Sequence, residues 1–268
     1  MSTVPFYCVE VVAHDVASEL RINDVPVLRL PGGGHVETSF DVNPYMQAGS
    51  NSISLRVAPG PGGFGAQSSY AVDLVLKTDP RSEDSSKLAS LRFTAPTGAA
   101  TGFEDSPGEV ELRPGVVVAT ARFEQDAPFG PWQWTAAEEL EATEAVRAQV
   151  LAIYQQIHKL LADRDVTNLM RACEGQARDW QVAYGLPDLA TAQRALGIAE
   201  TLADPAVTVD DFPPDLLTME LLGDRRLVQL VDERGNSPLR LSLGADSTME
   251  GRFNVVLCRM GTTWTIAR

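Results

Sequence analysis

This 268-residue chain has only three cysteines and three histidines. Cys8, Cys173 and Cys258 lie far apart and form no Cys-x-x-Cys. A sparse, odd set argues against a disulfide framework and for a reducing compartment. His14, His35 and His158 lack zinc-ligand spacing, so neither a metal nor another cofactor is expected. No run approaches the ~20 apolar residues that a membrane-spanning helix needs. The opening residues Met1 to Glu10 carry neither a basic region nor a long apolar segment, which speaks against a secretory signal and for the cytoplasm. Positive charge is scarce: 22 Lys and Arg stand against 36 Asp and Glu, for a net charge of −14. Such a surface repels phosphate backbones and anionic membranes, whereas a basic protein partner would be steered towards it.

Reactive motifs are missing as well. No Gly-x-Ser-x-Gly elbow occurs, and Cys173 falls in the middle of a helical pattern. The glycine-rich run Pro59 to Gly65 lacks the Lys-Ser/Thr of a phosphate loop, so a nucleotide site is not expected. The Glu104-Asp105 pair has no EF-hand spacing.

A normal globular composition remains, 44% hydrophobic and 22% charged, and its hydrophobic period changes abruptly at Phe129 to Thr135. Before that point apolar residues alternate between glycines and prolines; after it they recur at helical spacing. The switch predicts two domains, residues 1–128 and 135–268, joined by an aromatic junction at 129–134. Loose linkers are polar or Gly/Ser-rich, so the junction's Phe129, Trp132 and Trp134 are expected to bury and to fix the orientation of the two halves.

In the first half, nine strands are expected: Tyr7–Ala13, Glu19–Asn23, Val25–Leu30, His35–Val42, Ser52–Ala58, Tyr70–Lys77, Leu88–Thr94, Glu109–Leu112 and Val116–Phe123. No crossover helix fits between them, which predicts an all-β sandwich. Asn23-Asp24 is a hairpin turn signal. The run Ile22-Asn23-Asp24-Val25, followed by Phe40-Asp41-Val42 and Gly49-Ser50-Asn51, resembles the core of galactose-binding-like jelly rolls. This resemblance implies a jelly-roll sandwich and structural roles for Asn23, Gly49 and Asn51. Tyr45 and Phe64 are the candidate ligand-stacking aromatics on its loops, with Phe64 tucked into a strand edge as the alternative.

In the second half, Thr135-Ala136-Ala137-Glu138 has the form of a capping box opening a helix to about Asp163. Asp165 can cap a second helix ending at Tyr184-Gly185, and Asp188 a third through Leu202. Strands follow at Val207–Val209, Leu216–Leu222, Arg226–Asp232, Pro238–Leu243, Phe253–Met260 and Thr262–Ala267. This predicts an α+β domain with three helices packed on a curved antiparallel sheet. The order of elements, the link Leu160 to Leu169 and the ending Gly261-Thr262-Thr263-Trp264-Thr265-Ile266 resemble the nuclear-transport-factor-like, cystatin-like cone fold. Enzymes of that type carry an Asp, His or Tyr facing the pocket, whereas this half has no histidine outside its first helix. Glu220 and Arg240 are the candidate pocket residues, and a facing pair of the two would keep the carboxylate ionised. His158 reads as a surface or helix-end residue, and Trp180 and Trp264 as core.

These features favour a non-catalytic protein-binding role, of the kind played by bacterial immunity proteins that neutralise a partner. A carbohydrate- or small-molecule-binding accessory protein ranks second, and an enzyme with its site in the second domain third.

Overall fold

The computed structural model describes residues 4–60, 63–79, 82, 84–96, 102–103, 108–113, 115–243 and 250–268. Pro61-Gly62 and the Glu104-Asp105 pair lie outside the described residues. The chain divides into two compact units, Met1–Gly130 and Pro131–Arg268.

The first unit is all-β. Its strands are β1 Phe6–His14, β2 Val16–Ile22, β3 Val25–Pro31, β4 His35–Asp41, β5 Gly49–Pro59, β6 Ser69–Lys77, β7 Ser85–Thr94, β8 Glu109–Arg113 and β9 Val116–Gln125. They form two antiparallel sheets ordered β4-β1-β6-β7 and β3-β2-β5-β9-β8. Period-two alternation sets the buried face. In β5, Asn51, Ile53, Leu55 and Val57 are buried while Ser52, Ser54 and Arg56 are not. In register across three strands, Leu20, Leu55 and Ala119 are all fully buried. Pro26 and Pro31 fall in β3, an edge strand, where a missing N–H breaks no inner ladder.

Asparagines hold the turns of this unit. Asn23 and Asp24 both have positive φ, +49° and +62°, and close the β2–β3 hairpin. The Asn23 amide donates to the Tyr45 carbonyl and to Asn51 Oδ1, each at 2.8 Å, and its oxygen accepts the Ser52 N–H at 2.8 Å. Asn51 donates to the Gln47 and Gly49 carbonyls at 2.8 and 3.0 Å. Asn43 accepts the Tyr7 N–H at 2.7 Å and donates to the Pro5 carbonyl at 2.8 Å. Each amide satisfies backbone groups that have left the ladder, the requirement for burying such turns.

The second unit is α+β. It contains α1 Glu144–Ala162, α2 Val166–Ala172, α3 Glu174–Tyr184, α4 Leu189–Ala195, α5 Ile198–Ala203, β10 Val207–Val209, β11 Thr218–Leu222, β12 Leu227–Val231, β13 Arg240–Leu243, β14 Glu250–Arg252, β15 Leu257–Met260 and β16 Thr263–Ile266. Three expectations are corrected here. First, α1 begins eight residues later than the capping box suggests, and Thr143 is its N-cap, accepting the Val146 N–H at 3.2 Å. Thr135 instead donates to the Trp132 carbonyl at 2.8 Å within a 3-10 turn, Gln133–Ala136. Tertiary bonds outweigh the local signal. The Glu138 N–H donates to the Arg259 carbonyl at 3.1 Å, and the Leu140 N–H to the Arg225 carbonyl at 2.7 Å. Arg225 returns two bonds to the Leu140 carbonyl, at 3.0 and 2.9 Å, and Arg226 bonds the Ala137 carbonyl.

Second, the described residues hold five α-helices, not three. Asp165 and Asp188 do cap α2 and α4, but the expected second helix bends at Cys173 and the third breaks at Gly197. Gly197 has φ +69°, left-handed backbone that glycine adopts without a Cβ clash. After the Cys173 bend, Gly175 lies against β16, where a Cβ would sit 2.6 Å from Thr265 Cγ2.

Third, the strands form two sheets, β10-β13-β14 and β11-β12-β15-β16, instead of one. After β12 the Asp232 carboxylate takes the Arg234 and Asn236 N–H groups, both at 2.9 Å, and turns the chain. Pro238 then offers no N–H to continue a ladder.

Side chains from α1 and the strands share one core, including Leu140, Val150, Tyr154, Ile157, Leu161, Val228, Leu230, Leu239 and Leu257. Large side chains of this kind each contribute about 1.5–3 kcal/mol on burial. Trp180 and Trp264, expected in the core, are only half-buried, and Trp264 donates to Gln149 at 3.2 Å. Trp132 is buried beneath the Arg268 guanidinium, 5.3 Å from its ring centre. In the first unit, Phe129 meets Tyr7 edge-on at 5.9 Å.

Candidate functional site

The four residues singled out from the sequence do not converge. Tyr45 sits in the Asn43–Tyr45 turn, half-buried, beside the Gly49 end of β5. Phe64 follows the Pro59 end of that strand and packs on Phe93, ring centres 5.2 Å apart. Eleven extended residues span about 33 Å, so the two aromatics belong to opposite ends of the sheet. Glu220 lies on β11 and accepts a bond from Gln229 at 2.8 Å. Arg240 lies on β13, in the other sheet, with its Nε 3.9 Å from Asp210. Glu220 and Arg240 thus lie in different sheets, each with its own partner.

Arg240 also borders a surface cleft of the second unit. It lines a cleft of about 340 Å³ between the segment Asp210–Leu217 and the turn at residues 232–236. Its lining mixes apolar Pro213, Leu216, Leu217 and Pro238 with charged Asp232, Glu233, Arg234 and Arg252. Arg252 is spent on Asp232, 3.2 Å away, and on the Ser237 carbonyl at 2.8 Å.

Asp210 fixes the first end of the loop. Its carboxylate accepts from Ser242 at 2.8 Å, its N–H donates to the Arg240 carbonyl at 3.1 Å, and its carbonyl meets His158 Nε2 at 2.8 Å. His158 is thus a half-buried brace within α1 rather than a free surface residue. Arg147 holds the other end through the Leu217 carbonyl at 3.2 Å. Phe212 packs between, 5.7 Å from the His158 ring and 6.5 Å from Tyr154. The tip is left outside: Asp211 and Asp215 are exposed, and Leu216 is 74% exposed.

The sequence pattern predicts a strand that opens at Leu216. Β11 instead begins at Thr218, because Pro213-Pro214 occupies a 3-10 turn through Leu216. Two prolines between acidic residues were the available signal that this stretch is a stiff, solvated projection.

Nucleophiles are withdrawn. Cys8, Cys173 and Cys258 are all buried, and burial pushes their thiols up to about 12, 12 and 11. Among the described residues no three His, Cys, Asp or Glu side chains converge to hold a metal, and no helix is long and apolar enough to cross a membrane. No family model, curated protein or solved structure matches this chain.

Proposed function

We propose that this chain is a non-catalytic binding protein whose second unit receives a basic, partly apolar segment of a protein partner. The observation that carries the proposal is Leu216, a large apolar side chain held 74% exposed on a loop braced at both ends. Isolated exposed apolar residues need no explanation. This one lines the cleft next to the exposed Asp215, with exposed Asp211 on the same loop and exposed Glu233 also in the cleft lining. Such an apolar anchor inside a charged rim is the usual layout of an interface hot spot, and the exposed carboxylates Asp211, Asp215 and Glu233 favour a positively charged partner. The chain's net charge of −14 would steer such a partner from a distance. The two antiparallel sheets of the first unit support its reading as a jelly-roll-like sandwich, and the helices followed by antiparallel strands of the second support an α+β reading. In both readings the described framework is scaffold, and the loop is the recognition element.

The test places a photo-crosslinking side chain at position 216 and recovers adducts from the source cells. A single basic protein is expected, and it should be lost when Asp211 and Asp215 are both changed to lysine. A crosslink unaffected by that charge reversal, or none at all, refutes the proposal. A second reading rests on Arg240, whose side chain is 37% exposed at the cleft: a small carboxylate ligand. It predicts thermal stabilisation by such a ligand that Arg240→Ala removes.

A further inference from the structure

We propose that His14 and His35 form a chelating site for a divalent transition-metal ion of the copper or nickel type. The two residues are 21 positions apart, yet antiparallel pairing of β1 with β4 sets them directly opposite each other. Two of the chain's three histidines therefore meet at one place on its surface.

The rings lie side by side rather than head-on. Their centres are 4.2 Å apart with planes inclined by 29°, while His35 Nδ1 and His14 Nε2 are 3.1 Å apart. A linear N–H···N bond of that length would hold the centres roughly 5 Å apart or more. The shorter separation excludes a linear hydrogen bond and leaves the two ring nitrogens adjacent within a stacked pair. With metal–nitrogen bonds of about 2.1 Å, nitrogens 3.1 Å apart subtend about 95° at the ion. That angle suits the square-based geometry of Cu²⁺ or Ni²⁺ better than a tetrahedron, and imidazole ligands suit both ions. The broad χ2 torsion of histidine lets each lone pair rotate onto a common ion.

The surrounding backbone holds the histidine pair in place. Just beyond β1, the Asp15 N–H donates to the Gly34 carbonyl at 2.9 Å, and Asp15 Oδ1 accepts the Gly34 N–H at 2.7 Å. These paired bonds tie together the residues adjoining both histidines. Glu37 Oε2 lies 3.9 Å from His35 Nε2, and a carboxylate on that side favours the tautomer that leaves Nδ1 free to ligate. His35 is half exposed, so water can complete the coordination sphere.

The test titrates Cu²⁺, and separately Ni²⁺, into the metal-free full-length chain by calorimetry, with histidine ring NMR signals followed in parallel using diamagnetic Zn²⁺. One ion per chain is expected, with the His14 and His35 signals shifting and the His158 signal unmoved. His14→Gln and His35→Gln should each weaken Cu²⁺ binding by tenfold or more. Both sites are at the surface, so unchanged thermal unfolding of the variants without metal verifies that they fold. Equal Cu²⁺ affinity in wild type and either variant, or no Cu²⁺ binding below about 1 mM, overturns the proposal.

Discussion

Tyr154→Phe is the sharpest probe of how the second unit is held together. Tyr154 is 1% exposed, and its hydroxyl donates to the Val255 carbonyl at 2.5 Å while accepting the Leu230 N–H at 3.0 Å. Direct pairing of β12 with β15 covers only Leu227–Cys258 and Val228–Leu257. Two residue pairs further along, at Leu230 and Val255, the hydroxyl from α1 stands in for the missing rung. Phenylalanine keeps the ring and its packing but strands two backbone groups, because Leu230 and Val255 are 1% and 2% exposed. Each stranded group costs about 1–3 kcal/mol, so roughly 3 kcal/mol in total is expected. With a urea m-value of about 1.5–2 kcal/mol/M, the midpoint falls by about 1.5–2 M at unchanged m. All four tryptophans, Trp132, Trp134, Trp180 and Trp264, lie in the second unit. Tryptophan fluorescence therefore follows this unit selectively during urea unfolding. A loss below about 0.5 kcal/mol would show that water or a backbone shift replaces the hydroxyl, and would refute the bridging role.

Three further outcomes follow from the buried charges and thiols. Burial alone would raise Glu19, but hydrogen bonds and charge from Arg21 and Arg29 outweigh it and hold this carboxyl below its ordinary value of 4.5. Its contribution is therefore complete above that value and is lost as pH falls through the lowered one, so Glu19→Gln should flatten the acid limb of first-unit stability measured by hydrogen exchange. Asp179 and Arg268 pair at 2.5 Å with side chains only 11% and 3% exposed. Asp179→Ala should destabilise by about 3–5 kcal/mol in urea, and Asp179→Leu combined with Arg268→Met by clearly less, because the single change leaves a buried guanidinium without its counter-charge. The three thiols, raised by burial to about 11–12, should resist iodoacetamide in the folded protein and react only on unfolding, as read by mass spectrometry.

The first unit was almost fully legible because its local and tertiary signals agree. In β5 alternation alone marks the buried face, and Asn23-Asp24 has the chemistry its hairpin requires. The second unit departs where long-range bonds decide. The Thr135 capping box is a sound local signal, but Arg225, Arg226 and Arg259 arrive from 85 to 121 residues away to hold residues 137–140 out of the helix. No pattern in a single sequence announces such a clamp. Gly197 was legible in principle, since glycine inside a helical run is a possible break, but its cost is small enough that periodicity masked it.

The candidate site was hidden for a related reason. Arg240 was found from strand alternation, yet its surroundings come from a loop and a turn that alternation does not describe. Leu216 shows the difference most clearly. Apolar, and adjacent to Leu217, it reads as the first residue of a strand, but a residue after Pro-Pro inherits the turn's geometry instead of the ladder's. Leu217 then faces the core at 6% exposure, while Leu216 faces solvent at 74%. The loop ends are fixed by Asp210 and Arg147, so this division is built into the fold rather than caught by chance. A leucine held outside by a braced loop forgoes about 1.5–3 kcal/mol of burial. Recovering that stabilisation against another surface is the physical argument behind the proposed binding role of the second unit.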